Sequence, residues 1–263
     1  MKETCNNVVA SSATTMTASD RRVRVVSFVW QHILLVCSLF MMTIGVALTI
    51  RSGLGSSVIS SIPMVFTLAG GAGKAPALTV GEYTNLMNVA LVLIQILILR
   101  RRFEKVQLFQ LVIGSVFGFF LDISMWLTSS LIPTGLAGQI LAQLVGCVVL
   151  GTAVAFEVKC GSVTMPGEGV PAALCKARGM HFAKAKIWVD ISLVTVAVVS
   201  GYLFFGHWLY TVVGAGTLFA MVFVGLVVKF VSRRIGWFDK VLHYHPGFRR
   251  YFYGLARYLR HHG

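Results

Sequence analysis

Apolar runs approaching 20 residues recur along this chain, and blocks of arginine and lysine separate them. A helix needs roughly 20 apolar residues to cross a bilayer, so each run is long enough for that and too apolar for much else. Hydrophobic residues make up 56% of the chain, charged residues only 12%, and the mean hydropathy is +0.79. There is too little polar surface to cover a soluble globule. Strands of a membrane barrel would alternate at period two, and these runs do not. The expected fold class is all-α: a polytopic helical membrane protein.

Six spans are expected, at about 25–50, 84–99, 108–127, 136–156, 187–205 and 209–231. The formal net charge of +14 invites a nucleic-acid reading, but the basic residues lie between apolar runs and read better as topology signals. With both termini in the cytoplasm, 21 of the 23 lysines and arginines fall inside, and only Arg51 and Lys74 fall outside. Trp126 and Trp208 then mark outer span ends, Trp30 and Trp188 inner ones. Residues 1–22 are polar and rich in Ser and Thr, unlike a signal peptide, and read as a disordered cytoplasmic tail. The five cysteines form no CxxC pair and no metal spacing, and neither a metal nor a cofactor is expected. Cys37 and Cys147 lie within apolar runs, and Cys160 and Cys175 belong to a cytoplasmic loop where reduced thiols are expected.

One stretch occurs twice. Residues 45–63 read GVALTIRSGLGSSVISSIP, and 106 positions later residues 151–169 read GTAVAFEVKCGSVTMPGEG. Gly45, Ala47, Gly55 and Ser56 match Gly151, Ala153, Gly161 and Ser162. Each copy ends an apolar helix, meets a Gly-Ser break, and restarts as a short proline-containing piece, a half-span at about 57–68 and another at about 168–178. Three spans separate the copies, so the halves, 23–127 and 128–235, run through the membrane in opposite senses. Asn88 and Asp190 hold matching places early in the second helix of each half. An inverted 3+3 repeat with discontinuous helices is a transporter plan, with substrate held near the midplane where broken ends meet. Plain loops in an ancient duplication are the alternative.

An ionisable group within a span is costly to bury and so is a functional candidate. Glu168, in MPGEGVP, stands between glycines that admit close backbone approach and prolines that interrupt a helix. There a carboxylate can bind a cation or carry a proton, or simply cap the following half-helix. Asp122, in GFFLDISMW, lies well inside the third span, as a functional acid or an interhelical anchor. Asp190, one turn into the fifth span, suits a helix N-terminus by its dipole. Glu157 and Arg51 occupy equivalent places in the two copies, and interfacial snorkelling accounts for both. In the first break Ser56, Ser57, Ser60 and Ser61 and the N–H groups of a new helix suit an anion, unless the hydroxyls satisfy their own backbone. Gly114, Ser115 and Gly118 and the GAG at 214–216 suit close helix packing. The expected solute or ion pathway is thus Glu168, Asp122, Ser56, Ser57, Ser60, Asp190 and Asn88.

The C-terminal tail, residues 236–263, is a separate device. Phe248, Tyr251, Phe252, Leu255 and Leu259 share one helical face, and Arg249, Arg250, Arg257 and Arg260 occupy the remainder. A basic amphipathic helix beside a last span is expected to bind anionic lipid of the inner leaflet rather than RNA. His261 and His262 read as solvated.

The runs GVALTIRSGLGSSVISSIP, FGFFLDISMWL, GTAVAFEVKCGSVTMPGEGV, AKIWVDISLV and GTLFAMVFVG resemble the YczE-like bacterial membrane proteins of uncharacterised function, and are distantly similar to the YitT group. The resemblance covers roughly residues 28–232 and implies a bacterial inner-membrane protein and, by analogy, a small-solute transporter. Relatives often carry an acid before the Gly-Thr of the last span, where this chain has Ala215 before Gly216. No catalytic motif is present: H-E-x-x-H, G-x-S-x-G and the P-loop are all missing, and no enzyme is expected. The expected function is secondary transport or export of a small solute or ion by alternating access. The alternative is a non-transporting membrane partner of a biosynthetic or signalling complex. Lipids and a small solute are the expected partners, nucleic acid is not, and homo-oligomerisation is left open.

The charge split makes the orientation testable. Single cysteines at Ser129 and His207 are expected to react with an impermeant thiol reagent on intact cells, and one at Arg102 is not. The reverse labelling pattern would invert the topology.

Overall fold

The structure is a computed structural model, described for residues 18–160 and 165–234. It holds eight α-helices in chain order: α1 (Ala18–Ser52), α2 (Val58–Gly71), α3 (Val80–Leu99), α4 (Phe109–Leu127), α5 (Gly135–Cys160), α6 (Pro166–Arg178), α7 (Phe182–Phe205) and α8 (Ala215–Arg234). Six of these are long and apolar enough to cross a membrane, and α2 and α6 are the two short ones. There is no strand among the described residues. The outward faces are apolar: Leu97, Phe119, Leu141, Leu203, Leu218 and Val222 are all exposed, which only a lipid solvent makes inexpensive.

The two halves pack by the same plan. α1 lies along α5, the element it corresponds to, and each also packs on the last helix of its own half, α1 on α4 and α5 on α8. Each half-helix packs on the following helix, α2 on α3 and α6 on α7. Each also reaches into the other half, α2 onto α7 and α6 onto α3. Lesser contacts repeat too, α2 with α8 and α6 with α4. One pair lacks its counterpart: α3 packs along α4, whereas α7 and α8 do not pack along each other.

Small residues set the distances. A Cβ on Gly45 of α1 would stand 2.6 Å from the Leu150 nitrogen of α5, and one on Gly146 would stand 3.0 Å from the Gly45 carbonyl oxygen. These two glycines let the two corresponding helices touch backbone to backbone, the close approach that drives association without a hydrophobic effect. Gly114 and Gly118 of α4 do the same against Asn88 and Asn85 of α3, as their spacing leads one to expect. Leu39, Val46, Phe117, Leu121 and Leu150 fill the core between α1, α4 and α5.

Asp122 fastens α4 to the first turn of α3. Its Oδ2 accepts from Thr79 Oγ1 at 2.7 Å and its Oδ1 from Gly81 N at 2.8 Å. Thr79 and Glu82 form a capping box around the same turn, so the N–H groups of Thr79, Gly81, Glu82 and Tyr83 are all bonded.

Boundaries differ from the sequence reading in instructive places. α1 begins by Ala18 and takes in residues 18–22, which the composition assigned to the tail. α3 starts at Val80, four residues early, because the capping box sets its first turn ahead of the apolar run. The last helix starts at Ala215 rather than 209. Residues 209–214 are instead a loop folded inward, with Val212 and Val213 packed against Val65 and Ala197, and Trp208 Nε1 donating to the Val213 carbonyl at 2.7 Å. Hydropathy cannot tell such a buried loop from a helix, since both are apolar. The half-helices lie close to expectation, at Val58–Gly71 and Pro166–Arg178. The tail helix expected over 236–263, with Arg249, Arg250, Arg257 and Arg260, lies outside the described residues.

Gly45→Val should lower the thermal unfolding temperature of the purified protein, because the new side chain meets the Leu150 backbone, with an overpacking cost of about 1–3 kcal/mol. Gly225→Ala, which meets nothing within 4 Å, should not lower it. Equal effects of the two would disprove the role of the α1–α5 contact.

Candidate functional site

The two breaks lie where each half-helix restarts, and the two restarts meet. A Cβ on Gly167, in the first turn of α6, would stand 2.5 Å from Ile59 Cδ1, in the first turn of α2. Val58, Ile59 and Ile62 of α2 and Val170 and Leu174 of α6 share one apolar cluster with Met87, Leu91, Val189 and Leu193. The broken ends thus come together among the helices of both halves, as an inverted repeat requires. What surrounds each end differs sharply.

The first break is closed by hydrogen bonds. Gly53 and Gly55 take φ of 71° and 130°, backbone that other residues rarely adopt, and a Cβ on Gly55 would stand 2.6 Å from Thr217 Oγ1. Ser56 N donates to the Val212 carbonyl at 2.8 Å, and Gly216 N donates to the Leu54 carbonyl at 2.9 Å. Ser56 Oγ donates to Val212 O at 3.0 Å. Ser60 and Ser61 each donate to Ser57 O at 3.0 Å. Ser52 Oγ lies 2.7 Å from Gln143 Oε1, and Gln143 Nε2 donates to the Gly216 carbonyl at 2.9 Å. The serines are all buried, and their capacity is spent within the protein, on backbone carbonyls and on neighbouring side chains. The inward loop before α8 is the partner that makes this possible. Arg51, at the end of α1, is half-buried and donates through Nη2 to the Met125 carbonyl at 2.8 Å.

The second break gathers charge. α6 opens with Pro166 as its first residue, and Glu168 N and Gly169 N both donate to the Met165 carbonyl at 3.0 Å. Glu157 lies in the last turn of α5, ahead of this restart. It is only 4% exposed, so the interfacial snorkelling expected for it does not occur. Both its carboxylate oxygens are out of solvent and lack a hydrogen-bond partner of standard geometry among the described residues. Glu168, on α6, lies within electrostatic reach of Lys186 and Asp190 on α7, the helix α6 packs against. Lys186 Nζ and Asp190 Oδ1, one turn apart on α7, pair at 2.8 Å. Two buried amides complete the surroundings. Gln95 Nε2 of α3 donates to the Pro166 carbonyl at 3.2 Å, and Gln110 of α4 approaches Gly169 with its Oε1 unpaired.

Of the residues named from sequence, Glu168 and Asp190 come together in this cluster. Ser56, Ser57 and Ser60 belong to the other break. Asp122 is engaged at the start of α3, the interhelical anchor that sequence offered as its alternative role. Asn88 lies between α3 and α4, its Nδ2 3.4 Å from the Gly114 carbonyl, beside a groove of 270 Å³ lined by Glu82, Asn85, Leu86 and Ser115. Glu157, Gln95, Gln110 and Lys186 are the residues sequence reasoning passed over. For the two glutamines a signal existed, since each interrupts an apolar run, ALVLIQILIL and LFQLVIG. Glu157 stood at the end of its run, and only the fold reveals that it is buried.

A family model described as a family of unknown function (DUF6198) matches residues 29–233. No curated protein and no solved structure matches the chain.

Proposed function

We propose, from the premise that the chain belongs to the family of unknown function DUF6198, that it moves a small solute or ion across the membrane by alternating access between its two halves. The observation that carries this reading is the meeting of the two half-helix starts at Ile59 and Gly167, within packing that repeats from one half to the other. Discontinuous helices in opposed repeats give a membrane protein two equivalent ways to arrange the same contacts, and exchange between them exposes a central site to each side in turn. The close contact of the tips fits a state closed to both sides. Of the two breaks, the second has what a binding site needs: acids, amides and a lysine in an apolar setting. The first has the hydrogen-bonded closure of a support. Glu168 and Asp190 keep the pathway role expected of them, joined by Glu157, Gln95 and Gln110, while Asp122 and the serines hold the frame.

The dry contact between the tips also suits the second reading, a membrane partner that transports nothing. Flux separates the two. With the native cysteines replaced, Ile59→Cys and Gly167→Cys should form a disulfide across the tips. Thermal-shift screening against inorganic ions, organic acids, amino acids and sugars should find a solute that raises the unfolding temperature, since a ligand of the folded state stabilises it. Uptake of that solute into vesicles carrying the protein should stop on oxidation and resume on reduction. If no solute in the panel shifts the temperature or accumulates in vesicles, transport is rejected in favour of the partner role.

A further inference from the structure

Resting on the alternating-access reading above, we propose that Lys74 and Lys176 latch two gates, one at each face of the membrane, which open in turn. Each lysine rides on the far end of a half-helix. Lys74 follows α2 and is tied to it, because its N–H donates to the Ala69 carbonyl at 2.9 Å. Lys176 lies in the last turn of α6. The two stand 102 residues apart, as Asn88 and Asp190 do. Each then crosses to the other half, to the end of the helix on which its half-helix packs. Lys74 Nζ donates to the carbonyl of Phe204, in the last turn of α7, at 2.5 Å, and lies 5.1 Å from the centre of the Phe205 ring. Lys176 Nζ donates to Glu104 Oε1, just beyond the end of α3, at 2.8 Å.

The two contacts occupy opposite ends of the bundle. α3 runs from the linker that carries Lys74 to the connection that carries Glu104, and it is long and apolar enough to span a membrane. α7 runs the other way, from the turn after α6 to Phe204. The half-helices start at the tips, where Ile59 meets Gly167, and end at the latches. A latch that parts therefore frees the far end of one half-helix from the opposite half. Behind each latch lies an apolar seam between the halves. Phe66 of α2 packs edge-on against Phe204 at 5.2 Å and lies 5.5 Å from Tyr83 of α3. Tyr83 Oη donates to the Pro76 carbonyl, in the linker itself, at 2.6 Å. At the other end Leu174 of α6 and Ile98 of α3 join the apolar cluster of the tips. Both lysines are exposed. An exposed charged contact is weak, so it braces the fold poorly and suits a latch that every turnover must break.

The test uses the full chain with its native cysteines replaced and a single Ile59→Cys at the tips. An impermeant thiol reagent reaches one face on intact cells and the other on inverted vesicles. Lys74→Met keeps the stem and removes the charge. It should speed labelling from the face on which residue 74 lies by up to about fivefold, the scale of one exposed charged contact. Lys176→Met and Glu104→Gln should each do so from the opposite face alone. Lys74→Arg, which keeps a cation over the Phe205 ring, should label as the parent does. So should the exchanged pair, Lys176→Glu with Glu104→Lys. Unchanged labelling in every variant overturns the proposal, and so does faster labelling from both faces, the mark of a loosened fold. If one variant does not insert, Lys176 and Glu104 still decide, since either side of that pair can be changed. Face-specific labelling without uptake of any solute would keep the latches and reject the carrier. Uptake with labelling unchanged would reject the latches and keep the carrier.

Discussion

Lipid offers no hydrogen bonds, so every break in a helix at membrane depth must find its partners inside the protein. That constraint organises this molecule. Two helices stop and restart within the bundle, and the described residues at the restarts, Ser56, Ser57, Met165 and Pro166, are buried. At the first break the inward loop before α8 supplies the partners, through Ser56 to Val212 and Leu54 to Gly216. At the second, Met165 accepts from Glu168 and Gly169 and Gln95 reaches the Pro166 carbonyl. The half-helices, the buried glutamines and the inward loop are all answers to the same problem.

The duplicated frame carries two unlike interiors. Positions that correspond across the repeat hold Arg51 in one half and Glu157 in the other. The arginine reaches a carbonyl on α4, whereas the glutamate is covered and left without a standard partner. Hydroxyl groups saturate one break, and carboxyl groups load the other. A frame with two similar arrangements needs some asymmetry if a ligand is to bias one of them, since only differential affinity shifts an equilibrium.

Much of the architecture was legible in the chain, because its signals are local and strong. Long apolar runs mark the spans, glycine followed by serine marks the breaks, and a shift of 106 positions aligns the halves. The elements that eluded sequence depend on what lies opposite them. Asp122 could be an acid in a pathway or an anchor, and only the cap it places on Thr79 and Gly81 decides its partner. Residues 209–214 are as apolar as a span, and their identity as a loop comes from a pocket lined by Val65 and Ala197. Glu157 ends its apolar run as an interfacial residue would, yet it is buried. Hydropathy measures what a residue prefers; it does not record which neighbour covers it.

The pairing of α3 with α4, which α7 and α8 do not repeat, bears on how the chain is assembled. α3 and α4 are consecutive, joined through residues 100–108, pressed together at Gly114 and Gly118, and latched by Asp122. Chains emerge from the ribosome N-terminus first, and a hairpin whose contacts are all its own can close as soon as it is inserted. The final two helices have no such mutual hold, and they settle by finding α2 and α5, surfaces made earlier. The first half is thus equipped to serve as the mould, and the second half is cast against it.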